Sequence, residues 1–130
     1  MGLTLIKHKT MEMQAFGKAR PRVTSRGTFM PRDYMAKRDE LILRFGGKID
    51  TENPLCLHVV VTRKMPKSWT KAKKKSLHNT PCLTKPDIDN IVGAVMDALL
   101  DEDSHVFRIE AQKFWATEDS ISVYVYEGLS

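Results

Sequence analysis

K-P-D-I-D-N-I-V-G-A-V-M-D-A-L-L-D-E-D-S-H-V, residues 85–106, is the stretch on which the fold turns. Ile88, Ile91, Val92, Val95, Met96 and Leu99 recur at offsets of 3, 4, 7, 8 and 11, which is a single apolar stripe on a helix; Asp89, Asn90, Gly93 and Asp97 take the opposite side. Pro86-Asp87 opens the helix, and the pattern stops after Leu100. A helix with one apolar face needs a surface to bury it against. The flanking segments supply one.

Upstream, Leu55 to Thr62 (L-C-L-H-V-V-V-T) is rich in β-branched residues and apolar on both faces, so it is expected as a central strand. Downstream, alternation returns from His105 to Trp115, with Phe107, Ile109 and Ala111 on one face and Arg108, Glu110 and Gln112 on the other, and Ile121, Val123 and Val125 repeat it. The short T-E-D-S link between these two segments predicts an antiparallel hairpin. Further out, Asp33 can cap a helix carrying Tyr34, Leu41, Ile42 and Phe45 on one face and ended by Gly46 and Gly47. Leu3 to Phe16 alternates loosely, as an edge strand would. The order strand, helix, strand, helix, strand, strand predicts an α+β domain: a small mixed sheet of about four strands with two main helices packed on it. Residues 1–130, 42% hydrophobic, suit one domain with a modest core that a homodimer would support.

Charge is segregated. Residues 1–85 hold 19 Lys and Arg against 6 Asp and Glu, whereas 86–130 hold 2 against 10, within a formal net charge of +5. With a pI near 9.3, the basic part points to a polyanionic partner, and nucleic acid fits better than a membrane because the basic stretches are interrupted by Pro and Gly. Two basic loops are expected, at about 17–32 and 63–84. Lys18, Arg20, Arg22 and Arg26 in the first, and Lys67, Lys71, Lys73, Lys74 and Lys75 in the second, are candidate phosphate contacts. Trp69, inside the lysine run, either stacks on an unpaired base or anchors its loop. No stretch is apolar and long enough to span a bilayer, and the N-terminal M-G-L-T-L-I-K-H-K lacks a secretory apolar region, so a cytoplasmic protein is expected. Cys56 and Cys82, without a C-x-x-C partner, read as reduced structural thiols. His8, His58, His78 and His105 have no metal-ligand spacing; His58 is expected in the core, and His105 in a hydrogen bond within the hairpin.

Six carboxylates stand between Asp87 and Asp103 with no Lys or Arg among them. Asp87 and Asp89 at a helix start can converge and make a hard oxygen site suited to Mg²⁺, with Mn²⁺ able to substitute, and such an ion would activate water and neutralise charge at a scissile phosphate. Ordinary helix capping is the alternative use of the same residues, and Asp101-Glu102-Asp103 can be a solvated turn. A helix of this length separates its ends by roughly 15 to 20 Å, so one ion does not reach both. Either the chain after the helix folds back, or the acidic turn of one subunit meets the D-x-D of a partner.

The composite of Lys85-Pro86-Asp87, Asp89-Asn90, Asp97-Ala98-Leu99 and Glu102-Asp103-Ser104-His105-Val106 resembles the RusA family of Holliday-junction resolvases, which are common in phages and prophages. K-A-R-P-R (18–22) and the Pro-Lys-Ser-Trp lysine run (66–75) are similar to the family's basic stretches, so the resemblance covers about residues 16 to 115. It implies a Mg²⁺-dependent crossover-junction endodeoxyribonuclease, a hydrolase acting in DNA recombination and repair. It also implies a homodimer that makes paired symmetric nicks in four-way junctions without a small-molecule cofactor. By the same resemblance Asp87, Asp89 and Asp103 are the catalytic metal-binding aspartates, with Glu102 a further ligand candidate and Lys85 and Asn90 in support. The sequence departs from the family pattern in a shorter link before the acidic pair, in Glu102 in place of Asp, and in Gly93, where members often carry a lysine. A non-catalytic junction-binding protein and a flap or structure-general metal nuclease are the competing readings.

Overall fold

The computed structural model describes residues 2–128; Met1, Leu129 and Ser130, which the single-domain reading included, lie outside the described residues. The chain runs β1 (Leu3–Met11), β2 (Arg22–Thr24), β3 (Gly27–Phe29), α1 (Arg32–Phe45), β4 (Leu55–Lys64), α2 (Lys71–Leu77), α3 (Ile88–Leu99), a 3-10 turn (Asp103–His105), β5 (Val106–Ala116) and β6 (Ser120–Gly128). Four strands form a mixed sheet in the order β1-β6-β4-β5, and β2 pairs with β3 in a separate two-stranded ribbon. The α+β architecture is as expected.

The core lies between one face of the sheet and helices α1 and α3. Leu55, Leu57, Val59 and Val61 of β4 and Ile121, Val123 and Val125 of β6 are buried at alternate positions, as the period of a strand requires. They meet Tyr34, Leu41 and Phe45 of α1 and Ile91, Ala94, Val95, Ala98 and Leu99 of α3 in one cluster. Each large side chain in it contributes about 1.5–3 kcal/mol relative to exposure. On the opposite sheet face His8 stacks on Tyr124 at 3.9 Å, and His58 lies beside the same ring at 5.4 Å. His58 also hydrogen-bonds Gln112. It therefore belongs to the half-buried outer face of the sheet and not to the core, because its position alternates with the buried Leu57 and Val59.

The expected hairpin between the last two strands is not formed. β5 pairs parallel to β4, β6 pairs antiparallel to β4, and the interior strand β4 stands between them. An interior strand must satisfy its backbone groups on both edges, and β5 and β6 take one edge each. The link between them crosses the end of β4, where the Thr62 hydroxyl donates to the Glu118 carbonyl at 2.8 Å and Lys64 N–H donates to Asp119 Oδ1 at 2.9 Å. His105 accordingly bonds outside any hairpin, through Nδ1 to the Thr51 carbonyl oxygen. As an edge strand, β5 leaves Phe107 53% and Ile109 41% exposed.

The helix boundaries differ slightly from those expected. α1 begins at Arg32 after Pro31, so Asp33 sits in the first turn instead of capping; Gly46, at φ 95°, ends it with N–H bonds to the Ile42 and Leu43 carbonyls. Each basic loop contains structure that was not expected, the β2–β3 ribbon in the first and α2 in the second. Both cysteines are buried and free, and burial raises the Cys56 thiol pKa, with the Arg108 charge opposing and the Glu110 charge adding to it.

Candidate active site

The start of α3 is fixed by backbone contacts from three directions. Lys18 N–H donates to the Asn90 carbonyl at 2.9 Å, drawing the segment after β1 against the helix. Gly17 permits this approach, since a Cβ there would stand 3.3 Å from Asn90 Cβ and 3.5 Å from Pro86 Cβ. The Arg63 guanidinium, at the end of β4, donates to the Lys85 carbonyl. From β5, Lys113 Nζ donates to the carbonyls of Thr84 and of Pro86, the latter at 3.0 Å. These bonds hold Lys85-Pro86-Asp87 as a rigid approach to the helix.

Asp87 occupies the N-cap position of α3, yet its side chain makes no capping hydrogen bond. Its two oxygens instead face Lys85 Nζ, each at 3.1 Å, with the carboxylate half exposed. Asp89, exposed in the first turn, has no side-chain hydrogen bond or ion pair among the described residues. Both carboxylates thus keep acceptor capacity for a ligand. Asp87 lines a groove of about 580 Å³ with Gln14, Tyr34, Lys37, Arg63, Lys85 and Asn90, among others, and both carboxylates line a second of about 600 Å³ with Cys82, Gln112, Lys113 and Phe114, among others.

Further along α3 the remaining carboxylates have different uses. Asp97 accepts from the Tyr34 hydroxyl at 2.7 Å and lies 3.8 Å from Arg38. Burial first, and then the Asp97 bond and charge, push the Tyr34 phenol far above its ordinary pKa. Asp101 pairs with Lys48 at 2.6 Å. Glu102 accepts from Ser104 N–H at 3.0 Å and so caps the 3-10 turn; that backbone bond, with lesser help from the Ser104 side chain and His105, lowers its pKa. Asp103 begins the turn, and the chain folds back far enough that Asp103 and Gly93 line one groove of about 200 Å³ together with Lys18, Asp97 and Asp101. The island that is free of cations in sequence therefore receives Lys85, Arg38 and Lys48 from outside, leaving Asp89, Glu102 and Asp103 without an ion pair among the described residues.

α3 is about 18 Å long, and the acidic groups are spread along it. Among the described residues, no three His, Cys, Asp or Glu side chains stand close enough together to hold an ion. The structure brings Asp87 and Asp89 to one end of the helix and Asp103 alongside its other half. In kind, the carboxylate oxygens with unused lone pairs suit a hard divalent cation; the Cys82 thiol, which lines a groove with Asp87 and Asp89, is buried and within 3.2 Å of the Thr84 hydroxyl.

The candidate DNA contacts fall in two groups. Arg22 and Arg26 lie on or beside the β2–β3 ribbon, preceded by Lys18 and Arg20. Lys71, Lys73, Lys74 and Lys75 are carried by α2, whose Thr70 cap accepts from Lys73 N–H, while Lys67 lies just before it. Trp69 packs edge-on against Trp115 at 4.9 Å with Lys73 Nζ 4.4 Å from its ring, which is the anchoring use of that side chain. Sequence reading missed Arg63, Lys113 and Tyr34, whose contacts to the motif span tens of residues of chain and leave no local pattern.

Residues 12–126 match the family model described as Endodeoxyribonuclease RusA, a span that includes both basic segments, α3 and the acidic turn. The chain belongs to the RusA family. A curated relative, the uncharacterized protein YqaN of Bacillus subtilis (strain 168), is 38% identical over 82 residues. That alignment covers 57% of this chain and 58% of YqaN. Among the described residues, no helix is long and apolar enough to cross a membrane.

Proposed function

We propose that this protein is a metal-dependent endodeoxyribonuclease that resolves four-way DNA junctions by paired, symmetric nicks, acting as a homodimer with one site per subunit. The observation that carries the reading is the state of Asp87 and Asp89 in a RusA-family chain. Asp87 is not consumed by capping and lines a groove with Lys37, Arg63 and Lys85, and Asp89, two residues on, has no ion pair among the described residues. Asp87, Asp89 and Asp103 are the residues that would hold Mg²⁺ or Mn²⁺, with Glu102 as a secondary candidate. When bound, the ion would supply charge neutralisation at the phosphate and a more acidic water.

The protein's own groups do the rest. Arg22, Arg26 and the α2 lysines neutralise backbone phosphates and set register without reading bases. Arg63 and Lys113 keep the Lys85-Pro86-Asp87 backbone in place, which fixes where the carboxylates stand relative to the bound strand. Lys85 holds the Asp87 carboxylate until a stronger cation displaces it.

Incubating the protein with labelled four-way junction, flap and duplex DNA, in Mg²⁺ and in Ca²⁺, tests the reading. Paired nicks confined to the junction in Mg²⁺ are expected. Broad cutting would favour a structure-general nuclease, and binding without cutting in Mg²⁺ or Mn²⁺ would favour a junction-binding protein.

A further inference from the structure

We propose that Lys18 supplies the phosphate-stabilising cation of the cleavage site, its side chain carried across α3 at Gly93. The inference rests on the nuclease reading above and adds a residue to it. Asp89, Gly93 and Asp97 are spaced four apart, so they stack along one ridge of the helix, and Gly93 is the gap in that ridge. Glycine is disfavoured in the middle of a helix, and here the space it leaves is used. A Cβ built on Gly93 would stand 3.5 Å from Lys18 Cβ and 3.5 Å from Lys18 Cδ. The lysine stem therefore lies over the gap, one turn from each flanking aspartate.

The placement is not a matter of a loose surface side chain. The Lys18 backbone is tied to the Asn90 carbonyl at 2.9 Å, and the preceding Gly17 is pressed against Asn90 and Pro86. Lys18 lines the groove that also contains Asp97, Asp101 and Asp103. Asp97 is taken by Tyr34 and Arg38, and Asp101 by Lys48, whereas Lys18 forms no ion pair among the described residues. The result is an ammonium without an ion pair among the described residues, on a stem that crosses α3 one turn from Asp89 and lines one groove with Asp103.

In phosphodiester hydrolysis the water oxygen forms a bond to phosphorus, the bond to the bridging oxygen breaks, and the water's proton ends on the leaving group. Negative charge grows on the phosphoryl oxygens during the step, and an ammonium aimed at them stabilises the transition state more than the bound substrate. The α2 lysines, by contrast, hold the backbone equally well before and during reaction. This separates the two kinds of cation experimentally.

The test compares wild type, Lys18→Met and the double variant Lys18→Ala with Gly93→Lys. It measures single-turnover cleavage of labelled junction in Mg²⁺, junction binding in Ca²⁺, and thermal melting. Lys18→Met keeps the stem over Gly93 and removes the charge; it is expected to melt like wild type, bind the junction within a few-fold of wild type, and cleave about 100-fold more slowly. The double variant starts a lysine stem from the helix at the place where the Lys18 stem lies, and is expected to recover at least about a tenth of the wild-type rate. Cleavage by Lys18→Met at the wild-type rate would overturn the proposal, as would parallel loss of binding and cleavage with no recovery in the double variant. A wild-type protein that cuts none of the DNA substrates would remove the nuclease reading itself, and that result is visible before any variant is assayed.

Discussion

At the scale of the residue, the same kind of side chain has four uses within one acidic segment. Asp97 is structural, Asp101 is paired, Glu102 caps a turn, and Asp89, together with Asp87, which only Lys85 holds among the described residues, is left for a ligand. The Tyr34–Asp97 bond links α1 to α3 and is made by a phenol that is 4% exposed. Tyr34→Phe should destabilise the fold by about 1.5–3 kcal/mol, the range for a buried hydrogen bond to a charged group, measured by urea unfolding at pH 7. Because the folded-state pKa of Tyr34 is raised above the unfolded value near 10, the folded state holds the proton more tightly. This contribution is fully present below about pH 10 and is lost as pH rises beyond it. Unfolding measured from pH 8 to 11 should show that loss in wild type and a smaller one in Tyr34→Phe.

At the scale of the element, the motif is held because two strands, β4 and β5, and the loop after β1 converge on the start of α3. Lys113→Met removes the donor that clamps the Thr84 and Pro86 carbonyls while leaving an apolar stem of similar length. Cleavage should fall by up to about 100-fold, since small misplacements of reacting groups carry costs of that order, with junction binding in Ca²⁺ little changed. Gel-based kinetics and binding on the same preparation check both halves of that expectation. How much of this was legible in the sequence follows from the range of each interaction. The α3 stripe and Leu55–Thr62 declared themselves because their periodicity is local. The β5–β6 hairpin was misread because alternation marks a strand but not its neighbour, and β4, more than 40 residues upstream of β5 in the chain, took the place between them. α2 escaped because a short helix with four lysines has no apolar face to recognise; a Thr70 cap and the Trp69–Trp115 contact hold it. Asp87 and Asp89 could be named from spacing and resemblance, whereas the Arg63 and Lys113 clamp could not, since nothing in either residue's neighbourhood marks it.

At the scale of the whole molecule, the proposed function assigns binding to the basic segments and chemistry to the acidic one. The α2 lysines are expected to act through counterion release, so replacing Lys71, Lys74 and Lys75 with Ala should weaken junction binding and reduce the slope of log K against log salt by about 2 to 3. The cleavage rate at saturating protein should change much less. Asp103 folds back to share a groove with Gly93 of its own chain, which brings it alongside the helix that Asp89 begins and favours a site built within one subunit. Mixed dimers of Asp87→Asn with Asp103→Asn should then remain inactive, and restored cleavage would assign the site to both subunits jointly. The central claim is that the uncapped carboxylates of the Lys85-Pro86-Asp87 motif carry out metal-dependent junction cleavage. The most direct measurement is single-turnover cleavage of a labelled four-way junction in Mg²⁺ by wild type and by Asp87→Asn, with binding measured in parallel. The account predicts paired nicks by wild type and cleavage at least about 100-fold slower by Asp87→Asn at undiminished binding; equal cleavage by the two proteins would contradict it.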